Sequence, residues 1–433
     1  MTTPAQPLPL GGTSREAIAQ AEIGVTNVTP GIARGIVVLF LIAVGAVPMS
    51  EWKAVWKGAL DVVTVHAAKV RAVPADGPIW SRVVARNRAV LEGINEFERT
   101  LEDGSLMGRT LRPGAQAVMS RWLAVGNERV YVGRDGWLFY RPDVEYVTGQ
   151  PFLDPARMRR RIRAAPEWTA PPTPDPRPAI VQFSQDLAAR GIVLIVMPTP
   201  VKPVVHPEML RGGLADSTDV VHNGSYRALI EDLRKAGVQV FDPAESIAIA
   251  RRGGAQYLPT DTHWTPEVME AVAAQAALAI SSAVTLPAVP DPGYRVDRAE
   301  VQNAGDTAKM LDLPPTAKLV QPQAVWLRRV LQADGELWRS SRDADVLLLG
   351  DSFSNIYSLE SMGWGTSAGL AEHLSLALRR PLDRLVQNDE GAFATRAMLQ
   401  QDPARLQGKR VVIYQFAVRE LAGGDWKVLP FVP

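Results

Sequence analysis

The chain has 433 residues, of which 46% are hydrophobic and 21% are charged, so it can bury a sizeable core and is not disordered as a whole. Its 47 lysines and arginines nearly balance 46 acidic residues, which argues against a dedicated nucleic-acid binder. The sequence contains no cysteine, which excludes disulfide scaffolds, iron–sulfur ligation and a cysteine nucleophile.

The N-terminal region contains one uncharged apolar run. Residues 1–34 are polar and lack periodicity, which predicts a flexible tail. The run over 35–50 is close to the short limit of a membrane-spanning helix. Trp52 and Trp56 follow one helical turn apart, as in an aromatic belt at a membrane surface. We therefore predict a transmembrane anchor over 35–50. A buried core helix and a cleaved signal peptide are the alternatives.

Residues 51–129 carry apolar side chains near helical spacing, which predicts a helical stalk or connector. In Val130–Tyr140, two short β-prone runs flank Gly-Arg-Asp-Gly, which predicts a hairpin. Two proline-rich stretches, 165–178 and 285–325, are predicted to be surface loops or insertions within a domain that covers 130–433.

From about residue 179, helical patterns alternate with short apolar runs typical of strands covered on both faces. The predicted strands are 192–197, 238–241, 346–349 and 411–414. The predicted helices are 180–190, 226–235 and 265–281, the last with Thr265 as N-cap and Pro266 at its first position. This alternation predicts an α/β fold with a mainly parallel sheet and helices on both faces. Ligands in such folds bind at the carboxyl ends of the strands.

Two segments carry the residue types of a serine-dependent acyl-transfer site. Gly350, Asp351 and Ser352 follow a predicted strand, so Ser352 would lie at the carboxyl edge of the sheet beside backbone N–H groups that can hold an oxyanion. A serine needs an adjacent base to act as a nucleophile. Asp261 and His263 are two apart on an extended segment, so their side chains can pair. Alone, each segment is also compatible with a turn or a helix cap; together they favour a hydrolase-like site.

These segments also resemble the AlgX/AlgJ-type alginate O-acetyltransferases (DHHW-type), which have an SGNH-hydrolase-like fold. In that family the Asp-x-His element precedes the serine, as Asp261–Trp264 precedes Gly350–Ser354 here. Gly133–Phe139, Pro198–Lys202 and Tyr414–Arg419 resemble three further motifs of the family. In the last motif, Tyr and Gln stand where the family has Trp and Glu. The resemblance covers roughly residues 130–422 and implies an SGNH-like three-layer α/β/α sandwich.

The resemblance implies a role for each site residue. Ser352 would be the nucleophile, His263 the general base and Asp261 the group that orients it. Oxyanion candidates are the Ser352 backbone N–H, Asn388 and Gly363, and substrate-binding candidates are Lys202 and Arg419. The alternative is a turn residue for Asn388 and a solvated loop lysine for Lys202. The sequence has no metal-ligand spacing and no nucleotide fingerprint, so we predict no cofactor.

The predicted function is that of a membrane-anchored O-acetyltransferase that moves an acetyl group through an acyl-serine onto hydroxyls of an extracytoplasmic polysaccharide. The anchor predicts a single-pass protein of the inner membrane with a periplasmic catalytic domain. Since acetyl-CoA cannot be the direct donor there, the resemblance implies a membrane-bound O-acyltransferase partner that supplies acetyl. The alternatives are an O-acetyl esterase with the same triad and a non-catalytic glycan-binding or assembly subunit.

Overall fold

The structure is a computed structural model that describes residues 29–72, 78–165, 170–210, 220–314, 317, 319–388 and 391–431. Residues 1–28, most of the predicted tail, lie outside this set. The chain divides into two compact units, Met1–Arg112 and Pro113–Pro433. In the first unit, the long helices α1 (Pro30–Arg71) and α2 (Ile79–Gly104) pack against each other. Helix α3 (Leu106–Leu123) contains the boundary.

The predicted anchor over 35–50 lies within α1. The large apolar side chains from Ile36 to Ile42 are exposed to at least 54% of their surface. Further along α1, the rings of Trp52 and Trp56 stack with centroids 5.5 Å apart. Within the described stretches of the chain, no helix combines the length and the apolarity that crossing a membrane requires.

An antiparallel hairpin lies near the start of the second unit, as predicted. Its strands β1 (Val130–Val132) and β2 (Leu138–Tyr140) pair through Tyr131 and Phe139. Gly136 turns the chain with a φ of 79°, which a residue without a Cβ adopts readily. The Leu138 N–H donates to the Pro259 carbonyl at 2.8 Å. The hairpin is therefore bonded to the segment that leads to Asp261.

A five-stranded parallel sheet forms the centre of the second unit. Its strands are β3 (Val193–Thr199), β4 (Gln239–Val240), β7 (Val346–Gly350), β8 (Asp383–Val386) and β9 (Val411–Ala417), in the spatial order β4-β3-β9-β7-β8. Every residue of β7 and β9 is buried, because helices cover both faces. Four of the strands lie where the apolar runs predicted them. Strand β8 was not predicted, because its first two residues are charged.

The helices of the second unit precede and follow these strands. They are α4 (Arg141–Thr148), α5 (Pro155–Arg163), α6 (Pro176–Ala188), α7 (Lys202–Val205), α8 (Pro207–Leu210), α9 (Tyr226–Lys235), α10 (Ala244–Ala250), α11 (Pro266–Ala283), α12 (Asp306–Met310), α13 (Ser352–Asn355), α14 (Leu370–Leu378), α15 (Ala394–Gln401) and α16 (Arg419–Gly423). Short 3₁₀ turns cover Arg251–Gly253, Glu360–Met362 and Pro403–Leu406.

Two predicted helix starts can be compared with the structure. Helix α6 begins at Pro176, earlier than predicted, and the Asp175 carboxylate accepts from the Arg177 N–H at 3.0 Å as an N-cap. Helix α11 begins at Pro266 with Thr265 as its N-cap residue, as predicted. The Thr265 side chain makes no capping hydrogen bond with the described residues.

A long antiparallel ribbon lies across the stretch predicted as an insertion over 285–325. Strand β5 (Arg295–Asn303) pairs with β6 (Gln323–Leu331) along nine residues. Exposed and half-buried residues alternate along most of β5, as expected for a strand with one covered face. Its many charged residues concealed this strand in the sequence. The connection from β5 into α12 carries Asp306 to the site described next.

Candidate active site

Ser352 lies where the buried strand β7 meets α13. It is the first residue of that helix and 9% exposed, at the carboxyl edge of the sheet. Asp351 precedes it as N-cap, and the Asp351 carboxylate accepts from the Phe353 N–H at 2.9 Å. The first N–H groups of a helix have no intrahelical acceptor. The Ser352 N–H is therefore suited to hold a developing oxyanion.

The three side chains predicted to act together form one hydrogen-bonded row. His263 Nε2 lies 2.8 Å from Ser352 Oγ, and His263 Nδ1 lies 2.6 Å from Asp261 Oδ1. A carboxylate only accepts, so Nδ1 carries the proton and donates it to Asp261. The lone pair on Nε2 is then free to accept the Ser352 hydroxyl. The arrangement can withdraw a proton from Ser352 Oγ as the oxygen attacks an acyl carbon.

A tight local turn presents Asp261 and His263, and the prediction of an extended segment here was wrong. The Leu258 N–H donates to the His263 carbonyl at 3.1 Å, and Tyr257 forms an isolated antiparallel bridge with Trp264. The His263 N–H also donates to Asp261 Oδ1 at 3.1 Å, which keeps the carboxylate close to its own turn. The Phe353 ring meets the imidazole at a steep angle with centroids 4.8 Å apart. Packing and hydrogen bonds thus fix the plane of the imidazole.

Asp261 is buried, yet its carboxylate is held in the ionised form. Trp364 Nε1 and the Asp306 N–H donate to Oδ2 at 2.8 and 2.9 Å, in addition to the two bonds from His263 to Oδ1. Burial by itself would raise the pKa of Asp261. The hydrogen bond and charge of His263, together with these donors, outweigh burial and lower the pKa to about 2.

His263 is subject to the opposite balance. Burial would lower its pKa, because the imidazolium would lose hydration. The hydrogen bond and the negative charge of Asp261 outweigh this, so the pKa of His263 is raised above its ordinary value. With a raised pKa, His263 is a stronger base than a free histidine, which suits it to take the proton of Ser352.

Two residues of this site were missed by sequence reasoning. Trp364 lies between Gly363 and Gly365, and a tryptophan between two glycines was the available signal. Asp306 lies in the stretch predicted as an insertion, where nothing in the sequence marked it. Asp306 Oδ1 accepts from the Thr262 N–H at 2.7 Å, and Oδ2 lies 3.8 Å from His263 Nδ1. Burial and the charge of Asp261 raise the pKa of Asp306.

Within the described residues, one group has potential ligand atoms close enough together to hold a metal ion, namely Asp261, His263 and Asp306. One oxygen or nitrogen atom of each lies within 4.8 Å of the others. His263 Nδ1 is already hydrogen-bonded to Asp261 Oδ1, and Asp261 Oδ2 accepts from two N–H groups. These contacts fit a proton-transfer site better than a metal site.

The remaining oxyanion candidates differ in position. The Asn388 side chain accepts from Asn355 Nδ2 at 2.9 Å, so it lies beside the helix that begins with Ser352. Its own Nδ2 points towards the Met362 sulfur at 3.6 Å. The Gly363 N–H donates to the Glu360 carbonyl at 2.8 Å, and this bond disfavours an oxyanion role for Gly363. Gly363 has a φ of 81°, so it closes a turn that glycine favours.

The structure places Lys202 in the interior instead of on a solvated loop. Its side chain is 1% exposed, and Nζ donates to the carbonyls of Leu138 and Pro259 at 2.6 and 3.0 Å. Burial lowers its pKa to about 8. These bonds join the hairpin to the segment before Asp261. Burial therefore disfavours substrate binding by Lys202 and favours a structural role.

Arg419 lies at the start of α16, close to the Ser352 helix. Its guanidinium donates to Asp143 Oδ1 at 3.1 Å and lies 5.8 Å from the centroid of the Phe353 ring. Asp143 is fully buried, and burial, only partly offset by Arg419, raises its pKa to about 6. Arg419 also lines a pocket of about 30 Å³ with Asp351, Gln415 and Asn388. The structure thus places Arg419 near the predicted nucleophile, and its role in substrate binding stays a prediction.

Comparisons with known proteins identify relatives of the domain that carries these residues. A family model described as the SGNH hydrolase-like domain of the acetyltransferase AlgX matches residues 130–418. The chain is 23% identical over 318 residues to the probable alginate O-acetylase AlgJ of Pseudomonas aeruginosa, covering 68% of this chain and 71% of that protein. It is 24% identical over 355 residues to the corresponding Pseudomonas putida protein, covering 76% and 84%.

One solved structure shows the same fold. The O-acetyltransferase domain of Pseudomonas putida AlgJ superposes with a TM-score of 0.50 at 22% identity, covering 68% of this chain and 92% of that one. The parallel sheet and the covering helices are therefore those of an SGNH-like α/β domain, as predicted.

Proposed function

Because the chain belongs to the family of SGNH hydrolase-like domains of the AlgX acetyltransferase type, we propose that it is an O-acetyltransferase that works through an acyl-serine. The observation that carries the mechanism is the row Ser352–His263–Asp261, with bonds of 2.8 and 2.6 Å. Ser352 Oγ attacks the acetyl carbonyl while His263 Nε2 takes its proton. Asp261 stabilises the imidazolium, and the Ser352 N–H holds the oxyanion.

The imidazolium of His263 then completes the first half of the reaction, and the second half repeats the proton transfers with a sugar hydroxyl. His263 returns the proton to the departing group of the acetyl donor, which leaves acetyl-Ser352. A sugar hydroxyl then gives its proton to His263 Nε2 and attacks the acetyl carbon. Collapse of the oxyanion expels Ser352 Oγ, which takes the proton back. Asp261 keeps Nδ1 protonated throughout, so the same nitrogen serves as base and as acid.

We propose a polysaccharide as the acetyl acceptor, and alginate is its first candidate. The support is the name of the relatives, probable alginate O-acetylase. Acetyl would come from a membrane-bound O-acyltransferase partner, because acetyl-CoA cannot be the direct donor outside the cytoplasm. Water as acceptor would make the protein an O-acetyl esterase with the same three residues, and the experiment below separates the two.

The first test measures transfer and hydrolysis together. Wild-type protein is given para-nitrophenyl acetate with or without an oligouronate acceptor, and both the acetylated sugar and free acetate are quantified. We expect acetylated oligouronate, and Ser352→Ala should lower its formation by roughly 10³-fold or more. Ser282→Ala, at an exposed serine on α11, is the matched control and should keep full activity. Free acetate without acetylated sugar would favour the esterase, and an active Ser352→Ala protein would remove Ser352 from the mechanism.

We also propose that the protein associates with the inner membrane and acts on its periplasmic side. The support is the row of exposed apolar side chains over Ile36–Ile42. We expect full-length protein in the salt-washed membrane fraction, and Leu39→Asp with Phe40→Asp should release it. Leu278→Asp, at a side chain 70% exposed elsewhere, should not. A reporter at the C-terminus that is active only in the cytoplasm would overturn the location.

A further inference from the structure

Gln415 lies on β9 directly beside the turn that carries Ser352. Its side chain is 1% exposed and uses its full hydrogen-bonding capacity. Gln415 Oε1 accepts from the Asp351 N–H at 2.9 Å and from Ser354 Oγ at 2.7 Å. Gln415 Nε2 donates to Asp351 Oδ1 at 2.8 Å and to Thr199 Oγ1 at 3.0 Å. One amide thus contacts the residue before Ser352 and a residue after it.

The chemistry of the neighbours fixes the orientation of this amide. The Asp351 N–H can only donate, so it must face Oε1. The Asp351 carboxylate can only accept, so it must face Nε2. An ionised glutamate of the same length offers acceptors only. A carboxylate at position 415 would place an oxygen against Asp351 Oδ1.

Asp351 also makes hydrogen bonds that hold the turn around Ser352. Its Oδ1 also accepts from the Phe353 N–H at 2.9 Å, and its Oδ2 accepts from the Ala417 N–H at 2.7 Å. The turn is therefore tied to β9 on both sides of Ser352. Gly350 allows this close approach, because a Cβ there would lie 3.0 Å from Gln415 Oε1 and 2.3 Å from Ser354 Oγ.

We propose that Gln415 is a positioning residue for the acyl transfer, and that its neutral amide is what keeps the Ser352 turn in its reactive shape. The inference rests on the proposed function, since it concerns how Ser352 is aimed at His263. It also assigns a role to the position where the resembling motif has Glu. A displacement of about 1 Å at a reacting group can cost about 100-fold in rate, so a restraint of this kind matters for catalysis.

The variant Gln415→Glu tests the role of the neutral amide. Burial and the like charges of Asp351 and Glu420 raise the pKa of a carboxyl at position 415, and the positive charge of Arg419, which lines the same pocket, opposes them. At low pH the introduced carboxyl is protonated, can donate to Asp351 Oδ1 and can still accept from the Asp351 N–H and Ser354. At high pH it ionises and repels Asp351. The variant should therefore lose activity as pH rises.

The measurement is the rate at which Ser352 becomes labelled by phenylmethanesulfonyl fluoride, followed by intact mass and peptide mapping. This rate reports the reactivity of the serine whatever the natural donor and acceptor are. It is measured from about pH 6 to about pH 9, the range in which a buried glutamate titrates. The result is expressed as the ratio of variant to wild type, because titration of His263 then cancels. We expect a ratio within about 3-fold of one at the lowest pH and at least about 10-fold lower at the highest.

Matched controls separate this effect from a general loss of structure. Gln401→Glu makes the same chemical change at an exposed residue and should give a ratio near one at every pH. Gln415→Met keeps the length of the side chain but removes the amide. It should label at least about 10-fold more slowly at every pH, with no pH dependence in the ratio. This variant also keeps the test valid if Gln415→Glu fails to fold.

The outcomes distinguish the two proposals. Wild-type labelling of Ser352 with a ratio for Gln415→Glu that falls as pH rises supports the inference. A pH-independent ratio for Gln415→Glu, or full reactivity of Gln415→Met, overturns the role of Gln415 and leaves the proposed function standing. Absence of any Ser352 adduct in the wild-type protein overturns the proposed function and this inference with it.

Discussion

At the scale of single residues, the pairing of Asp261 with His263 sets the pH at which the site can work. Burial alone would make His263 a weak base, and the charge of Asp261 reverses that effect. A raised pKa means that the neutral, active imidazole is lost as pH falls through that value. The ionised Asp261 persists to far lower pH, because its own pKa is lowered to about 2.

We therefore expect kcat/KM for an acetyl ester to rise with pH through a midpoint above the ordinary pKa of histidine, about 6.5. Asp261→Asn removes the charge that raises the pKa and leaves burial, so the midpoint should move to lower pH. The plateau should also fall by roughly 10³–10⁴-fold, since the imidazolium loses its stabilising partner. The check is a pH–rate profile of the purified variants.

Asp306→Asn provides a graded comparison for that profile. Asp306 Oδ2 lies 3.8 Å from His263 Nδ1, against 2.6 Å for Asp261 Oδ1. The midpoint should shift in the same direction but by less, and the plateau should stay within about 3-fold of wild type. A larger shift for Asp306→Asn than for Asp261→Asn would contradict the assignment of Asp261 as the dominant partner.

At the scale of secondary structure, the junction of β7 and α13 explains why the chain has Gly350 before Asp351. Strand β7 is buried along its whole length, so its end is held rigidly in the sheet. The turn that follows must bring Ser354 back against the strand. A methyl group on Gly350 would lie 2.3 Å from Ser354 Oγ and 2.8 Å from Ser354 Cβ. The close return of the chain is possible only without a side chain there.

Gly350→Ala should therefore destabilise the domain by about 1–3 kcal/mol, the usual cost of overpacking. It should also slow the labelling of Ser352, because the turn must shift to relieve the contact. Thermal unfolding and the labelling rate are the measurements. Gly253→Ala adds the same methyl at a position with no atom within 4 Å and should change neither quantity. Equal stability of Gly350→Ala and wild type would show that the turn relaxes freely.

The antiparallel ribbon shows how an element hidden in the sequence serves the site. Strand β5 leads into α12, whose first residue donates its N–H to Asp261 Oδ2 at 2.9 Å. On the other side of the ribbon, Leu327 of β6 packs in the main core at 0% exposure. The ribbon therefore anchors α12 beside the Asp261 turn. Only one face of the ribbon packs against the rest of the domain. The other face is exposed and charged, so the ribbon lacks the continuous apolar run by which the buried strands were predicted.

At the scale of the whole molecule, the proposed catalytic residues belong to the second of two units. Asp261, His263 and Ser352 all lie in Pro113–Pro433, and the family match over 130–418 falls within the same unit. The helices α1 and α2 belong to the first unit, whose exposed apolar residues are the basis of the proposed membrane association. Chemistry and location are thus assigned to different parts of the chain and are tested by different variants.

The sequence by itself determined the strands of the parallel sheet other than β8, and it determined the side chains of the proposed triad. Strands buried on both faces read as unbroken apolar runs, so their positions are visible without a structure. Ser352 follows one such run directly. Asp261 and His263 are two residues apart, so the sequence predicted that they could pair, although a turn and not the expected extended segment brings them together.

Only the tertiary structure decided which other residues belong to the site. Trp364 reaches Asp261 across 103 residues of sequence, and Gln415 reaches Asp351 across 64. Such contacts depend on how strands and loops are brought together, and no local pattern encodes them. The same reason accounts for Lys202, which the sequence offered as a substrate-binding candidate, with a solvated loop lysine as the alternative. The fold instead closes the hairpin over it, so that its ammonium bonds two backbone carbonyls in the interior.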